Sequence, residues 1–564
     1  MAALSSIRIR NIFFAILMLL ICQHMATPAE AQQATRSAID AGQIEKRVNT
    51  QPESPSQPDK SAPEILKPDI RPTSRESDIS FVLSAVNIVG ATVYPIGDFA
   101  QLYEEFLGRE IRPKEIEVVL ERINRKYLDD GYFLTSAAAA PQDLSFGIVT
   151  IEITEGYIDR VVFRGDKPGR PGLFAAWAAK ISDSAPARLS TVERYILLMN
   201  DLPGIVATPG LAETEPGSGA YEMTIDISLE PFDAYSAIDN RGTGPVGPLQ
   251  WSLSGGANSV LEGLERVRVS TFTVPDEPRE LLYGEIYGQV PVGSEGTQIF
   301  ASASRSKVDI YSDTRGSSLQ STGTRYSGGG WHPLVRQQEV AVYLNGRFDF
   351  FEGGQSATND NFKDRLRVGR IAARLWFRDD FGGTTSSTAT FSRGFDILNA
   401  SPKGYNVSRS GGESRFHKID IDISRSQKLT DDFWLELNVA GQHSPNILLS
   451  SEEFALGGAR FGRAYDPSEI SDSRGSAGSA ELRHRLPFAD AHLSNLWVYG
   501  FYDAGVVWRT GNTKDSLASA GLGLRIFPLD GVRASLEYAK PLTRDVFEEG
   551  DRSPRVFFSL SVGF

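Results

Sequence analysis

Cysteine is all but missing: the one Cys in 564 residues is Cys22, near the N-terminus. Once the segment carrying it is removed, the chain can form no disulfide and no thiolate metal site. Long apolar runs are missing too. After residue 30 none reaches the roughly 20 residues a membrane-spanning helix needs, so a membrane protein with this sequence has to cross with strands. Basic charge is not in excess. The formal net charge is −13, which argues against nucleic acid as a partner, since its binders present a basic surface. The six histidines (His24, His332, His417, His443, His484, His492) show no metal-ligand spacing, and no phosphate-binding loop is present. No metal, cofactor or enzymatic activity is expected. Arg483-His484-Arg485 reads as a charged patch. A Ser-His-acid triad is recognised by geometry and leaves no reliable spacing to read.

The N-terminus reads as a secretory signal peptide over 1–31. Arg8 and Arg10 form a basic start, Ile12 to Ile21 a short apolar core, and Ala29-Glu30-Ala31 a small-x-small cleavage site. In residues 32–50, Ala38, Ile39, Ile44 and Val48 recur at helical spacing. Residues 51–78 are rich in Pro, Ser and charge, the composition of a flexible linker.

From residue 79 the pattern predicts a compact α/β unit. Phe81 to Val89 reads as a strand, Ile96 to Leu107 and Pro113 to Leu128 as helices, and Gly131 to Leu134 and Gly147 to Thr154 as strands. The same order then repeats. Tyr157 to Phe163 is a strand, Gly172 to Ala179 and Arg188 to Met199 are helices, and Ile205 to Pro209 and Ala220 to Leu229 are strands. Two modules in tandem, 79–156 and 157–231, are the expectation; one larger α+β domain is the alternative.

After Pro231 helical periodicity stops. In Val340–Phe350, the residues Val340, Val342, Leu344, Phe348 and Phe350 alternate with Tyr343, Asn345, Arg347 and Asp349. Ile419, Ile421 and Ile423 alternate with Lys418, Asp420 and Asp422, and Phe433, Leu435, Leu437 and Val439 with Trp434, Glu436 and Asn438. Long strands, apolar on one side and charged on the other, are the pattern of a transmembrane β-barrel with a wet lumen. Such segments number about 16, and antiparallel barrels favour an even count. The barrel is therefore placed over 232–564. A soluble sandwich or propeller rarely alternates so cleanly over such lengths.

The last strand alternates Val556, Phe558, Leu560, Val562 and Phe564 with Ser559, Ser561 and Gly563. It resembles the C-terminal signal by which barrel-assembly machinery recognises its clients. That assigns the role to Phe558, Leu560, Val562 and Phe564.

Tandem α/β units ahead of such a barrel resemble the POTRA domains of the outer-membrane insertion and secretion barrels. Within that superfamily the chain is similar to the two-partner secretion transporters, the hemolysin and filamentous-hemagglutinin secretion family. Local segments carry the likeness. Ala41-Gly42-Gln43-Ile44 resembles part of the family's N-terminal helix, which plugs the lumen. Gly131-Tyr132, Pro141-Gln142-Asp143-Leu144 and Val149-Thr150-Ile151-Glu152 resemble the end of the first POTRA domain, and Asp239-Asn240-Arg241-Gly242 the first barrel strand. Phe454-Ala455-Leu456-Gly457-Gly458 followed by Gly462-Arg463-Ala464-Tyr465-Asp466-Pro467 resembles the family's inward-folded loop, whose tip reads Val-Arg-Gly-Tyr or similar. Gly500-Phe501-Tyr502-Asp503-Ala504-Gly505 resembles the strand whose acidic residue pairs with the loop arginine. The tip departs from the family: Gly462 stands for Val and Ala464 for Gly, which leaves its turn geometry open.

The resemblance implies an outer-membrane pore of a Gram-negative bacterium that exports a secreted partner, a TpsA-like β-helical adhesin or hemolysin, first met unfolded by the POTRA domains in the periplasm. Lipid of the outer membrane, the barrel assembly machinery and periplasmic chaperones are the other expected partners. It also implies a lumenal lock made by Gly462, Arg463, Tyr465 and Asp503. Strand alternation agrees, since Asp503 shares a face with Trp497, Tyr499 and Phe501, opposite Leu496, Val498, Ala504 and Val506. The rival functions are a barrel assembly or insertion factor and a passive channel.

Overall fold

The computed structural model describes residues 40–48, 80–312, 317–357, 360–486, 496–509 and 513–564. The signal peptide, Cys22 and the linker predicted over 51–78 lie outside these. Of the predicted plug segment only 40–48 is described, and Ala41–Val48 is a helix.

Residues 80–229 build two α/β units. In the first, the strand Ala85–Val89 runs parallel to Ile148–Thr154, which pairs antiparallel with Ser136–Ala138. The helix Pro113–Asp129 buries Ile116, Val119, Ile123 and Tyr127 on this sheet, the face that helical spacing predicts. Pro113 sits in the first turn, where its missing N–H costs nothing, and the Glu115 carboxylate accepts the Arg112 N–H at 2.9 Å. In the second unit Tyr157–Gly165 runs parallel to Ala220–Leu229, which pairs with Ile205–Glu213. The helices Pro171–Ser182 and Leu189–Asn200 cover that sheet.

Three local expectations change. The strand predicted over Phe81–Val89 is split. Leu83 N donates to Arg109 O and Ser84 N to Gly147 O, so the chain switches partners at that step. The helix predicted over Ile96–Leu107 is three short turns, Ile96–Phe99, Ala100–Tyr103 and Glu104–Phe106. Gly131–Leu134 is not a strand. Gly131 takes a left-handed conformation (φ 89°) just past the helix, and Tyr132 N caps the Tyr127 carbonyl at 2.8 Å. Phe133 and Leu134 then enter the core of the second unit beside Trp177 and Ile181. Their hydrophobicity serves the joint between the units; the strand begins only at Ser136. Arg188 bonds the Tyr132 hydroxyl at 2.5 Å across the same joint.

Sixteen antiparallel strands follow, from Phe232–Asp239 to Arg555–Gly563, and those two pair to close a barrel. Their faces divide as the alternation requires. Leu344 and Phe350 are exposed outward while Tyr343 and Asp349 of the same strand are buried inward. Ile419, Ile421 and Ile423 also face outward.

The second α/β unit grips one rim of the barrel. Trp177 Nε1 donates to Ser294 O at 2.6 Å. Lys180 and Arg194 both pair with Glu295. The Leu198 side chain sits over Gly296, where a Cβ would lie 2.4 Å from it. From the opposite rim the connection between Phe433–His443 and Gly475–Leu486 folds inward, with a small hairpin of Phe454–Leu456 and Ile470–Asp472.

Candidate functional site

The inward loop carries Arg463 to the wall strand Leu496–Trp508, and there it meets Asp503. Asp503 is fully buried and Arg463 is 7% exposed. The guanidinium donates to the Asp503 carboxylate from Nη2 at 3.1 Å and from Nε at 3.1 Å, and the Arg463 backbone N–H adds a third bond at 3.1 Å. This planar two-pronged match is what an arginine offers and a lysine does not. The Phe501 ring stacks beneath, with the Arg463 Cζ 3.6 Å from its centroid.

Two further carboxylates complete the site. Glu481 accepts from Arg463 Nη1 at 2.5 Å, and Glu537 lies 3.4 Å from the same nitrogen. Arg241 bonds Glu537 at 2.7 Å and the Arg463 carbonyl at 3.3 Å. Arg483 bonds the second Glu481 oxygen at 2.6 Å. Tyr499 donates to Glu537 at 3.0 Å, and Ser519 to Asp503 at 3.2 Å. The charges are thus paired and hydrogen-bonded, the condition under which ions tolerate burial.

Gly462 and Tyr465 shape the loop tip. Gly462 has φ 78°, and a Cβ on it would lie 2.4 Å from a Leu517 methyl. Tyr465 N closes a turn onto Gly462 O at 2.9 Å, so the tip forms despite the altered motif, with Ala464 fully buried. The Tyr465 hydroxyl donates to Ala518 O at 3.2 Å and accepts from Arg544 N at 3.3 Å. The predicted C-terminal residues take no part in this cluster, although the last strand borders it through Phe557, which stands opposite Glu537. Phe558 and Leu560 face outward on the last strand, Val562 pairs with Ser236 at the barrel seam, and Phe564 is exposed while its N–H bonds Ala234 O at 2.9 Å.

Sequence reasoning missed Glu481, Glu537, Ser519 and the part played by Arg241. Strand parity would have turned Glu481 inward beside Ser479 and Arg483. It cannot show that Glu481 stands level with Phe501, because that depends on register between strands.

A second lumenal cluster holds the helix Ala41–Val48. Glu45 pairs with Arg325 at 2.9 Å and accepts from Ser304 at 2.5 Å. Lys46 donates to Glu453 O at 3.0 Å, at the root of the inward loop. The preceding residue, Glu452, is 1% exposed and bridges Arg370 (2.6 Å) and Lys418 (2.9 Å). The helix is thereby tied to the wall and to the loop.

Comparison with known proteins agrees with this architecture. Residues 227–526 match the family described as haemolysin secretion/activation protein ShlB/FhaC/HecB, and residues 81–156 match the ShlB-type POTRA domain. The chain is 21% identical over 472 residues to a heme/hemopexin transporter protein HuxB of Haemophilus influenzae, covering 80% of this chain and 81% of that protein. It is 23% identical to an outer membrane transporter CdiB of Escherichia coli, covering 80% and 79%. The solved structure of CdiB from Escherichia coli superposes with a TM-score of 0.70 at 18% identity, covering 96% of this chain and 100% of that one. The likeness shows the fold.

Proposed function

The chain belongs to the haemolysin secretion/activation family of outer-membrane transporters, and from that premise we propose how it exports its partner protein. The outer membrane is its place, and its outward-facing apolar band suits lipid. The partner is a secreted TpsA-like protein, of adhesin or hemolysin type. It is met unfolded in the periplasm by two POTRA domains, 79–156 and 157–231. An extended client adds to a sheet edge there through main-chain hydrogen bonds that require no fixed sequence. The chain itself catalyses no reaction. Barrel assembly machinery, reading Phe558, Leu560, Val562 and Phe564, and periplasmic chaperones serve its own biogenesis.

One observation carries this reading: the lumen is filled by two separately rooted pieces, the helix Ala41–Val48 and the inward loop, each fastened by buried ion pairs. A passive channel has no need of a double fastening, while a pore for a large, occasional cargo must close between cargoes. Arg463 and Asp503 act as the lock that keeps the loop in register, with Gly462 and Tyr465 shaping the tip. The helix acts as the plug. Folding of the client outside the cell supplies the drive, and the sequence carries no phosphate-binding loop for a nucleotide.

The test is to fasten the helix covalently. Gln43→Cys and Ser450→Cys, joined by a short reducible bis-thiol cross-linker, place a tether where the Gln43 amide already reaches the Ser450 carbonyl. Export stops once the link is made and resumes when it is reduced. Unchanged export with the helix tethered contradicts the role of plug.

A further inference from the structure

The strand Lys514–Leu529 runs beside the wall strand that bears Asp503. Over 519–525 its inward-facing positions are Ser519, Gly521, Gly523 and Arg525. Between a serine that bonds Asp503 and an arginine that reaches Glu481 at 3.5 Å, two successive inward positions carry no side chain. Directly across the ladder, Gly521 faces Phe501 and Gly523 faces Tyr499.

The rings occupy the space the glycines leave. A Cβ on Gly521 would lie 2.6 Å from Phe501 Cε1 and Cζ, and 2.2 Å from the Tyr538 carbonyl oxygen. At Gly523 a Cβ would meet the Tyr499 ring, with Cε1 2.8 Å away and the hydroxyl end closer still. Both rings therefore lie flat across the neighbouring strand, an arrangement in which an aromatic covers a glycine that is otherwise weak in a sheet. Phe501 is 6% and Tyr499 4% exposed. The flat Phe501 ring presents its face to Arg463, and the flat Tyr499 reaches Glu537 with its hydroxyl and lies under Arg525 at 4.7 Å.

We infer that Gly521 and Gly523 are positioning residues of the loop lock: they form a floor on which Phe501 and Tyr499 lie, and so set the depth at which Arg463 meets its three carboxylates. A side chain at either position tilts the ring into the lumen, into the space the guanidinium occupies. The geometry then fails without loss of any residue that touches Arg463. This deepens the reading of Arg463 and Asp503 as a lock and rests on it.

The test uses the full-length protein in membranes. A spin label on the exposed loop residue Ala459 and another on the barrel wall report where the loop sits. Four single variants and one double are compared; the single ones are Arg463→Ala, Gly523→Ala, Phe501→Leu, and Gly328→Ala, a strand glycine whose Cβ would meet nothing within 4 Å. Gly523→Ala is preferred to Gly521→Ala because its clash is with a side chain and not with a backbone carbonyl. Heat-modifiable migration reports barrel folding in each. The inference expects the Gly523→Ala and Phe501→Leu distance distributions to broaden toward that of Arg463→Ala, with a several-fold loss of export, while Gly328→Ala matches the parent. The double variant Gly523→Ala with Tyr499→Ala relieves the clash and narrows the distribution again. If Arg463→Ala broadens the distribution and Gly523→Ala, in a folded barrel, does not, the glycine floor is wrong and the lock stands. If Arg463→Ala itself changes neither distance nor export, the lock fails and the floor with it.

Discussion

Asp201 of the second α/β unit and Arg336 of the barrel rim hold each other in two hydrogen bonds of 2.9 Å, with both side chains almost wholly buried. Tyr343 adds a third bond to the same carboxylate at 3.2 Å, and Gln298 bonds the Asp201 carbonyl at 3.1 Å. With Phe133 and Leu134 buried in the second unit, the periplasmic arm and the barrel are joined at both of its joints.

Arg336→Ala leaves the Asp201 charge buried without its partner, at a cost of about 3 kcal/mol in docking free energy. Spin-label distances between the arm and the rim should widen and export should fall, while Asp201→Asn is milder because one hydrogen bond can persist. An unchanged distance in Arg336→Ala would show that Trp177 and Leu198 suffice to hold the joint.

Glu45→Ala removes the pair with Arg325 and one bond from Ser304. The helix should then leave the lumen more often, and single-channel conductance in a planar bilayer should rise. Conductance equal to the parent's would place the resistance of the lumen in the inward loop alone.

Arg463→Lys keeps the charge but loses the planar fork and the stacked face over Phe501. It should behave nearly as poorly as Arg463→Ala in export, with a loss of about tenfold or more if a few kcal/mol of the lock are removed. Full activity of the lysine variant would mean that charge alone sets the loop.

Glu155, at the end of the first POTRA domain, accepts from Thr92 N at 2.9 Å, Val93 N at 3.0 Å and Tyr127 at 2.6 Å. Burial raises its pKa, but these bonds together with the Thr92 hydroxyl outweigh burial and hold it below the usual glutamate range. A depressed folded-state pKa stabilises the fold fully above the unfolded value. That contribution is lost as pH falls through the depressed value. Thermal unfolding of the arm in the intact protein should therefore steepen its decline below about pH 4.5, and Glu155→Gln should flatten that decline. The same acid slope in both would assign it to other carboxylates.

Much of this was legible in the residues. Strict alternation in Val340–Phe350 and Lys418–Ser424 distinguishes lipid from lumen because each strand has only two faces. The meeting of Arg463 and Asp503 was legible only through the likeness to a family, since 40 residues of chain separate them and no periodicity joins a loop to a wall. Gly131–Leu134 misled because apolar β-formers look alike whether they pair in a sheet or wedge into a neighbouring unit. Glu481 and Glu537 stayed hidden for another reason: alternation gives the face of a residue but not its height, and height follows from the stagger of all sixteen strands.

The central claim is that this barrel exports one partner protein and is not a general assembly factor or an open channel. The most direct measurement compares secreted and surface proteins among the parent strain, a deletion strain and a strain carrying Arg463→Ala. The account predicts that one large protein disappears from the outside in the deletion and falls strongly in the variant, while other outer-membrane barrels keep their levels. A joint fall of many barrels, or an unchanged set of exported proteins, would contradict it.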